Sequence, residues 1–157
     1  MENLWLDTSI DGSDDLDNLV YLSRMMGLDT GLVLWGGGNT SVKSDALDFR
    51  GRPIRGMLVK GSGSDMKDSE RRHFPTVDLD GLAPLFERDA LSDEDMVNYI
   101  RQCMLDQSAP RPSIETLLHA FLPHKFVAHS HADTILSITN NARSDELLNS
   151  IYGKEAT

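Results

Sequence analysis

Two histidines separated by a single residue, His129 and His131, are the side chains of this sequence best suited to bind a metal ion. They lie at the end of a predicted strand, where side chains alternate with period two, so both imidazoles point to the same side. Neighbouring ligands placed in this way suit a tetrahedral divalent metal. The alternative is a pair of solvent-facing histidines without a ligand, because a His-x-His pair taken alone is ambiguous.

Glu115 is the candidate general acid/base, and it could also serve as a temporary third metal ligand. It lies in the first turn of a predicted helix with Ser113 as its N-cap, and that helix directly precedes the strand that leads to His129. A helix packed beside its following strand can bring a first-turn residue near the strand's far end. The alternative is that Glu115 only stabilises the helix N-terminus. His119 shares its helix face and could orient the carboxylate or fill a core position.

Two glycine-rich segments, residues 36–41 and 61–64, are candidate anion-binding loops because each follows a predicted strand. Glycine lets backbone N–H groups approach a phosphate closely, and Asn, Ser and Thr side chains add further donors. Neither segment fits a dinucleotide-binding fingerprint or a phosphate loop. Each could also be an ordinary turn. Together with Ser113, the two loops could converge on one anion.

The hydrophobic pattern predicts a single α/β domain with helices layered over one sheet. A first helix is capped by Ser13 or Asp14 and ends near Gly27. The remaining predicted elements are strands at 31–35, 40–44, 54–60 and 125–129, and helices at 79–88, 92–103, 113–122, 133–139 and 143–152.

Composition and charge narrow the classes of partner. The chain of 157 residues has a formal charge of −10, which disfavours nucleic acid and anionic membranes as partners. A single cysteine excludes an intramolecular disulfide, and we expect a cytoplasmic protein. The last predicted helix ends only five residues before Thr157, so we expect the sequence to be a fragment of a longer chain.

These motifs together resemble the class II aldolase/adducin family, the zinc-dependent sugar-phosphate aldolases. The segments that carry the resemblance run in family order, and in their longer forms they resemble the aldolase part of bifunctional rhamnulose-1-phosphate aldolase/alcohol dehydrogenases. They are residues 35–41 (WGGGNTS), 60–66 (KGSGSDM), 113–115 (SIE) with His119, and 129–131 (HSH).

The resemblance implies a layered α/β/α domain over residues 1–157, with a central and mainly antiparallel sheet that is incomplete at the C-terminus. His129 and His131 would bind Zn²⁺ with a third histidine beyond Thr157, and Glu115 would act as acid/base with a pKa raised by partial desolvation. The phosphate site would comprise Gly38, Asn39, Ser41, Ser62, Gly63 and Ser113. The family often has a second serine before its glutamate, and Ile114 at that position weakens one phosphate contact.

The function implied for the full-length protein is zinc-dependent cleavage of L-rhamnulose 1-phosphate to dihydroxyacetone phosphate and lactaldehyde. A short-chain dehydrogenase domain would follow, the assembly would be a homotetramer, and the fragment alone would be inactive. The alternatives are a sugar-phosphate epimerase or decarboxylase on the same scaffold, or a non-catalytic interaction module of the adducin kind.

Overall fold

A four-stranded antiparallel sheet forms the centre of the computed structural model, which describes Trp5 and residues 14–153. The strands are β1 (Asn39–Leu47), β2 (Pro53–Val59), β3 (Thr76–Asp78) and β4 (Phe126–His129), in the spatial order β3-β2-β1-β4. Every neighbouring pair of strands is antiparallel. The prediction of an α/β fold with a mainly antiparallel sheet is therefore confirmed.

Six α-helices and three short 3₁₀ segments surround this sheet in the described residues. The helices are α1 (Asp15–Leu28), α2 (Leu79–Leu82), α3 (Asp93–Gln102), α4 (Thr116–Phe121), α5 (Asp133–Thr139) and α6 (Ser144–Tyr152), and the 3₁₀ segments are Met66–Asp68, Arg71–His73 and Ala83–Glu87. No helix in this part of the chain has both the length and the apolar character that crossing a membrane requires.

Helix α1 begins as its sequence predicts, because the Asp14 side chain accepts a hydrogen bond from the Asp17 backbone N–H at 2.8 Å. Ser13, the other predicted cap, lies outside the described residues. The predicted helix over residues 79–88 forms only in part. After one α-helical turn it tightens into the 3₁₀ segment Ala83–Glu87, whose first turn holds Pro84.

Strand β1 separates two hydrophobic cores because its side chains alternate between the faces of the sheet. On one face, Val42 packs with Leu19 of α1, and Thr40 Oγ1 lies 2.6 Å from Ser23 Oγ of the same helix. On the other face, Ser41 and Lys43 point toward α4. The core on that second face contains Met57, Val59, Val77, Leu82, Ile100, Cys103 and Met104. Helices on both faces make the layered α/β/α arrangement.

The predicted strand at residues 31–35 is wrong, because consecutive turns occupy this segment. The Asp29 side chain accepts a hydrogen bond from the Gly31 N–H at 2.9 Å, and the Asp29 carbonyl accepts one from Val33 at 3.2 Å. Trp35 has a φ of 48°, a left-handed conformation incompatible with a strand. Of this apolar run Val33 is buried, whereas Trp35 is 83% exposed.

Candidate metal centre

The end of β4 and the start of α4 bring Glu115, His129 and His131 together. His129 is the last residue of β4, and its ring centroid lies 4.8 Å from that of His131. One potential ligand atom from each of the three residues lies within 4.8 Å of the other two. The two imidazoles and one carboxylate therefore face a common point, as their spacing predicts.

This donor set fits a divalent metal, and zinc in particular. Two imidazole nitrogens and one carboxylate oxygen form a recurrent zinc ligand set, with a further position left for water or substrate. The Nδ1 atom of His129 is buried and has no hydrogen-bond partner among the described residues. A buried nitrogen without a partner is costly unless it binds a ligand. The metal-binding role of the two histidines remains a prediction.

Helix α4 begins later than predicted, at Thr116, so Glu115 and not Ser113 occupies the N-cap position. The Glu115 side chain makes no capping hydrogen bond. The Ser113 hydroxyl instead hydrogen-bonds the Glu115 carboxylate, and its oxygen accepts a hydrogen bond from Asn39 Nδ2. The prediction of Ser113 as the helix cap is wrong: the helix begins at Thr116, and the Ser113 hydroxyl bonds Asn39 and Glu115 in place of the helix backbone.

The pKa of Glu115 is lowered, which corrects the expectation of a raised value. Burial raises this pKa, but the hydrogen bond from Ser113, a backbone hydrogen bond and the neighbouring His129 and His131 lower it by more in sum. The carboxylate is therefore ionised at neutral pH, the form that accepts a proton or coordinates a cation.

Asn39 connects this cluster to the sheet. It pairs with His129 across the β1–β4 ladder, and its Nδ2 donates to the Lys60 carbonyl at 3.4 Å as well as to Ser113. Asn39 is only 2% exposed, and its Oδ1 has no partner among the described residues. The predicted phosphate contacts Asn39 and Ser113 therefore lie side by side next to Glu115, with their donors already bonded to protein groups.

The buried side chain of Lys60 stabilises the second glycine-rich loop, a role that the sequence pattern alone did not predict. Lys60 is 3% exposed, and its ammonium donates to the Gly61 carbonyl at 3.2 Å and to the Ser64 carbonyl. Burial lowers its pKa. Ser62 and Gly63 are exposed at the tip of the loop. The signal in the sequence was a lysine directly between an apolar strand and a glycine-rich turn.

Ser41 lies away from the surface of the site, in contrast to its predicted role as a phosphate contact. It is fully buried, and its Oγ lies 2.8 Å from Nδ1 of the fully buried His119. The His119 ring is 6.5 Å from the His129 ring between centroids, and burial lowers the pKa of His119 to about 4. Of its two predicted roles, His119 takes the core position, behind His129.

The first glycine-rich loop packs closely against both histidines. A Cβ atom at Gly37 would lie 3.0 Å from His131 Nδ1, and one at Gly38 would lie 2.9 Å from the His129 carbonyl oxygen. Gly38 also has a φ of 76°, which favours glycine. Glycine is thus required at position 38 for the close approach of this loop to β4.

Comparisons with known proteins agree with this geometry. A sequence profile of the Class II Aldolase and Adducin N-terminal domain matches residues 17–156. The chain is 49% identical over 138 residues to a Bacillus subtilis protein named "Uncharacterized oxidoreductase YuxG". This alignment spans 88% of the chain but only 20% of that relative.

A solved structure of the N-terminal class II aldolase domain of a conserved Thermoplasma acidophilum protein superimposes with a TM-score of 0.86 at 46% identity. The superposition covers 98% of this chain and 70% of that one. With the family profile matching most of its length, the chain belongs to the class II aldolase and adducin family.

Proposed function

We propose that this domain is the catalytic domain of a zinc-dependent aldolase that cleaves a ketose 1-phosphate. The observation that carries the proposal is the convergence of Glu115, His129 and His131, whose ligand atoms lie within 4.8 Å of one another. An adducin-like interaction module would have no need for these three groups to face one point with a buried, unpartnered imidazole nitrogen.

Each residue of the site has a role in the proposed reaction that follows from its chemistry. His129 and His131 would hold the ion, which when bound would supply a Lewis acid for the substrate carbonyl. In the synthetic direction the Glu115 carboxylate removes the proton from the carbon next to the carbonyl; in cleavage the protonated carboxyl group returns it, and the substrate hydroxyl that becomes the aldehyde gives its own proton to solvent. The Ser113 hydroxyl orients the carboxylate, and Asn39 fixes Ser113 through its Nδ2.

The substrate we propose is L-rhamnulose 1-phosphate, with dihydroxyacetone phosphate and lactaldehyde as products. Support comes from the resemblance of residues 35–41 and 60–66 to bifunctional rhamnulose-1-phosphate aldolase/alcohol dehydrogenases. The Bacillus subtilis relative carries the name oxidoreductase and is much longer than the matched region. This agrees with an aldolase domain fused to a dehydrogenase.

Assembly and location are further parts of the proposal. Helices α5 and α6 contain no buried residue, and their apolar side chains Ile135, Leu136, Ile151 and Tyr152 are between 41% and 53% exposed. Exposed apolar side chains of this kind support burial against another surface, and a homotetramer is what the family resemblance implies; sedimentation of the full-length protein would test it. We propose a cytoplasmic location on the basis of the single cysteine.

The decisive experiment on the chemistry compares Glu115→Gln with the full-length wild type. We expect release of dihydroxyacetone phosphate to fall by about 10²–10⁴-fold, the usual contribution of a general acid/base, while zinc stays bound. The matched control is Glu87→Gln. Glu87 is an exposed glutamate outside the cluster of Glu115, His129 and His131, so its replacement should leave turnover unchanged. Unchanged turnover in Glu115→Gln would remove Glu115 from its role. Epimerisation or decarboxylation in place of cleavage would redirect the proposal to another reaction on the same residues.

A further inference from the structure

The side-chain amide of Asn39 has one buried atom without a hydrogen-bond partner. Its Nδ2 donates to the Lys60 carbonyl at 3.4 Å and to the Ser113 hydroxyl oxygen, whereas its Oδ1 has no partner among the described residues. Because the Lys60 carbonyl can only accept a hydrogen bond, the nitrogen of the amide must be the atom that faces it. The unsatisfied atom of Asn39 is therefore an acceptor, which needs an N–H or O–H group and not an anion.

The order of the strands indicates the direction of this oxygen. Strand β1 lies between β2 and β4, and Lys60 directly follows the last residue of β2. The oxygen and nitrogen of a planar amide point apart, so an amide whose Nδ2 faces β2 directs its Oδ1 toward β4. On β4, the residue directly opposite Asn39 in the antiparallel register is His129. Side chains of such a pair lie on the same face of the sheet, with Cβ atoms about 4.5–5.5 Å apart.

His129 has the matching unsatisfied atom. Its Nδ1 is buried and likewise has no hydrogen-bond partner within residues 14–153. Nδ1 is the ring nitrogen nearer the backbone, whereas Nε2 lies at the tip of the ring, where an ion can approach it. When Nε2 binds an ion, the proton of the neutral imidazole lies on Nδ1 and makes that atom a donor. An ion and a hydrogen-bond acceptor would thus satisfy the two ring nitrogens together.

His119 is the other neighbour of His129 with an unsatisfied buried atom, its Nε2. The two ring centroids are 6.5 Å apart, and Ser41 Oγ already lies 2.8 Å from His119 Nδ1. An imidazole held in this way presents its Nε2 as a donor or as an acceptor, depending on where the proton of the Ser41 contact lies. The amide oxygen of Asn39 is an acceptor in every case. The chemistry and the strand register therefore favour Asn39.

We propose that Asn39 is a positioning residue for His129: its Oδ1 accepts a hydrogen bond from Nδ1–H and thereby presents Nε2 to the ion. The contact closes through rotation of the imidazole about its Cβ–Cγ bond, a torsion with broad energy wells, or through one bridging water. Histidines that bind a metal almost always donate their second N–H to an oxygen acceptor. Since Nδ2 of the same amide bonds Ser113, which bonds the Glu115 carboxylate, Asn39 connects His129 with the proposed acid/base.

Calorimetric titration of the full-length protein with Zn²⁺ tests this role in three variants. Asn39→Leu removes the acceptor and should weaken zinc binding about 10–100-fold, the usual cost of losing such a partner of a metal ligand. Asn39→Asp loses the Nδ2 donor but keeps an oxygen acceptor, so it should bind zinc at least as tightly as the wild type. Ser113→Ala is the matched control, because it removes only the partner of Nδ2 and should leave zinc affinity unchanged. Equal affinity in the wild type and Asn39→Leu, or equal losses in Asn39→Leu and Ser113→Ala, would overturn the proposal.

The inference rests on the proposed function for the ion, but the proton on His129 can be located without metal. Nitrogen NMR of the metal-free, full-length protein with isotope-labelled histidine reports this at about pH 8, where an ordinary imidazole is neutral. We expect His129, identified by comparison with His129→Ala, to carry its proton on Nδ1 in the wild type and in Ser113→Ala. In Asn39→Leu the proton should shift toward Nε2.

The two measurements distinguish failure of this inference from failure of the proposed function. A wild-type His129 with its proton on Nε2 would overturn the inference, even if none of the variants can be compared. An Nδ1–H form that depends on Asn39, in a protein that binds no zinc, would refute the zinc-dependent aldolase and retain the contact between Asn39 and His129. Aldolase activity together with unchanged zinc affinity in Asn39→Leu would refute the inference alone.

Discussion

Lys43 is expected to hold α4, the helix that follows Glu115, in place. Its ammonium donates to the carbonyls of His119 at 2.9 Å, Leu122 at 2.7 Å and His124 at 2.8 Å. These carbonyls lie at and beyond the C-terminal end of a helix of only six residues, which has few internal hydrogen bonds of its own. Lys43→Met keeps the length of the side chain and removes all three donors.

The expected cost follows from the contacts. Hydrogen bonds from a charged donor contribute about 1.5–3 kcal/mol each when buried. Two of the three acceptors are exposed, so water replaces part of the loss, and we expect a total of about 2–3 kcal/mol. The shift in Tm for a chain of this size would be about 4–12 °C. Urea denaturation followed by circular dichroism measures the free energy of unfolding, and hydrogen exchange should show faster opening of α4 amides.

Lys125→Met is the control for this prediction. Lys125 is exposed and forms a surface ion pair with Asp15 at 2.8 Å, so its replacement should cost only about 0–1 kcal/mol. Equal free energies of unfolding for Lys43→Met and Lys125→Met would refute the reasoning that the three carbonyl contacts stabilise α4.

Three further predictions concern the surroundings of the site. Gly38→Ala should cost about 2 kcal/mol or more, because its Cβ would lie 2.5 Å from Val33 Cγ1 at a φ of 76°, whereas Gly36→Ala has open space and should be nearly neutral in the same urea assay. Burial lowers the pKa of His119 to about 4, so the unfolded chain binds an extra proton between about pH 6.5 and 4. Stability should therefore fall across this window by up to about 3 kcal/mol as the pH is lowered, and a flat urea midpoint would contradict this. Burial raises the pKa of Cys103 to about 11, so at pH 8 the folded protein should react with iodoacetamide about 100-fold more slowly than the urea-unfolded chain.

The sequence predicted the elements that have a regular pattern. Strands β1, β2 and β4, and helices α1, α3, α5 and α6, were expected within a few residues of their observed bounds. The proximity of Glu115 to the two histidines is also predictable from sequence. It follows from the period-two alternation of side chains in β4 and from the order of helix and strand, which are both visible in the local sequence.

Other features depend on contacts that no local pattern contains. Strand β3 has only three residues, and its pairing with β2 decides its conformation. The sequence predicts Ser113 as the cap of α4, but the Ser113 hydroxyl oxygen accepts a hydrogen bond from Nδ2 of Asn39, which lies on a distant strand. The same hydrogen-bonded network lowers the pKa of Glu115 where burial alone would raise it. Ser41 Oγ and His119 Nδ1 form a hydrogen bond in the core between residues 78 positions apart.

Calorimetric titration of the metal-free, full-length protein with Zn²⁺ tests the central claim most directly. We expect one zinc per chain in the wild type, a large loss of affinity in His129→Ala, and wild-type affinity in the control His124→Ala, whose imidazole is exposed away from the cluster. Absence of zinc binding by the wild type, or equal affinity in the wild type and His129→Ala, would contradict the assignment of His129 and His131 as ligands of a metal ion beside Glu115.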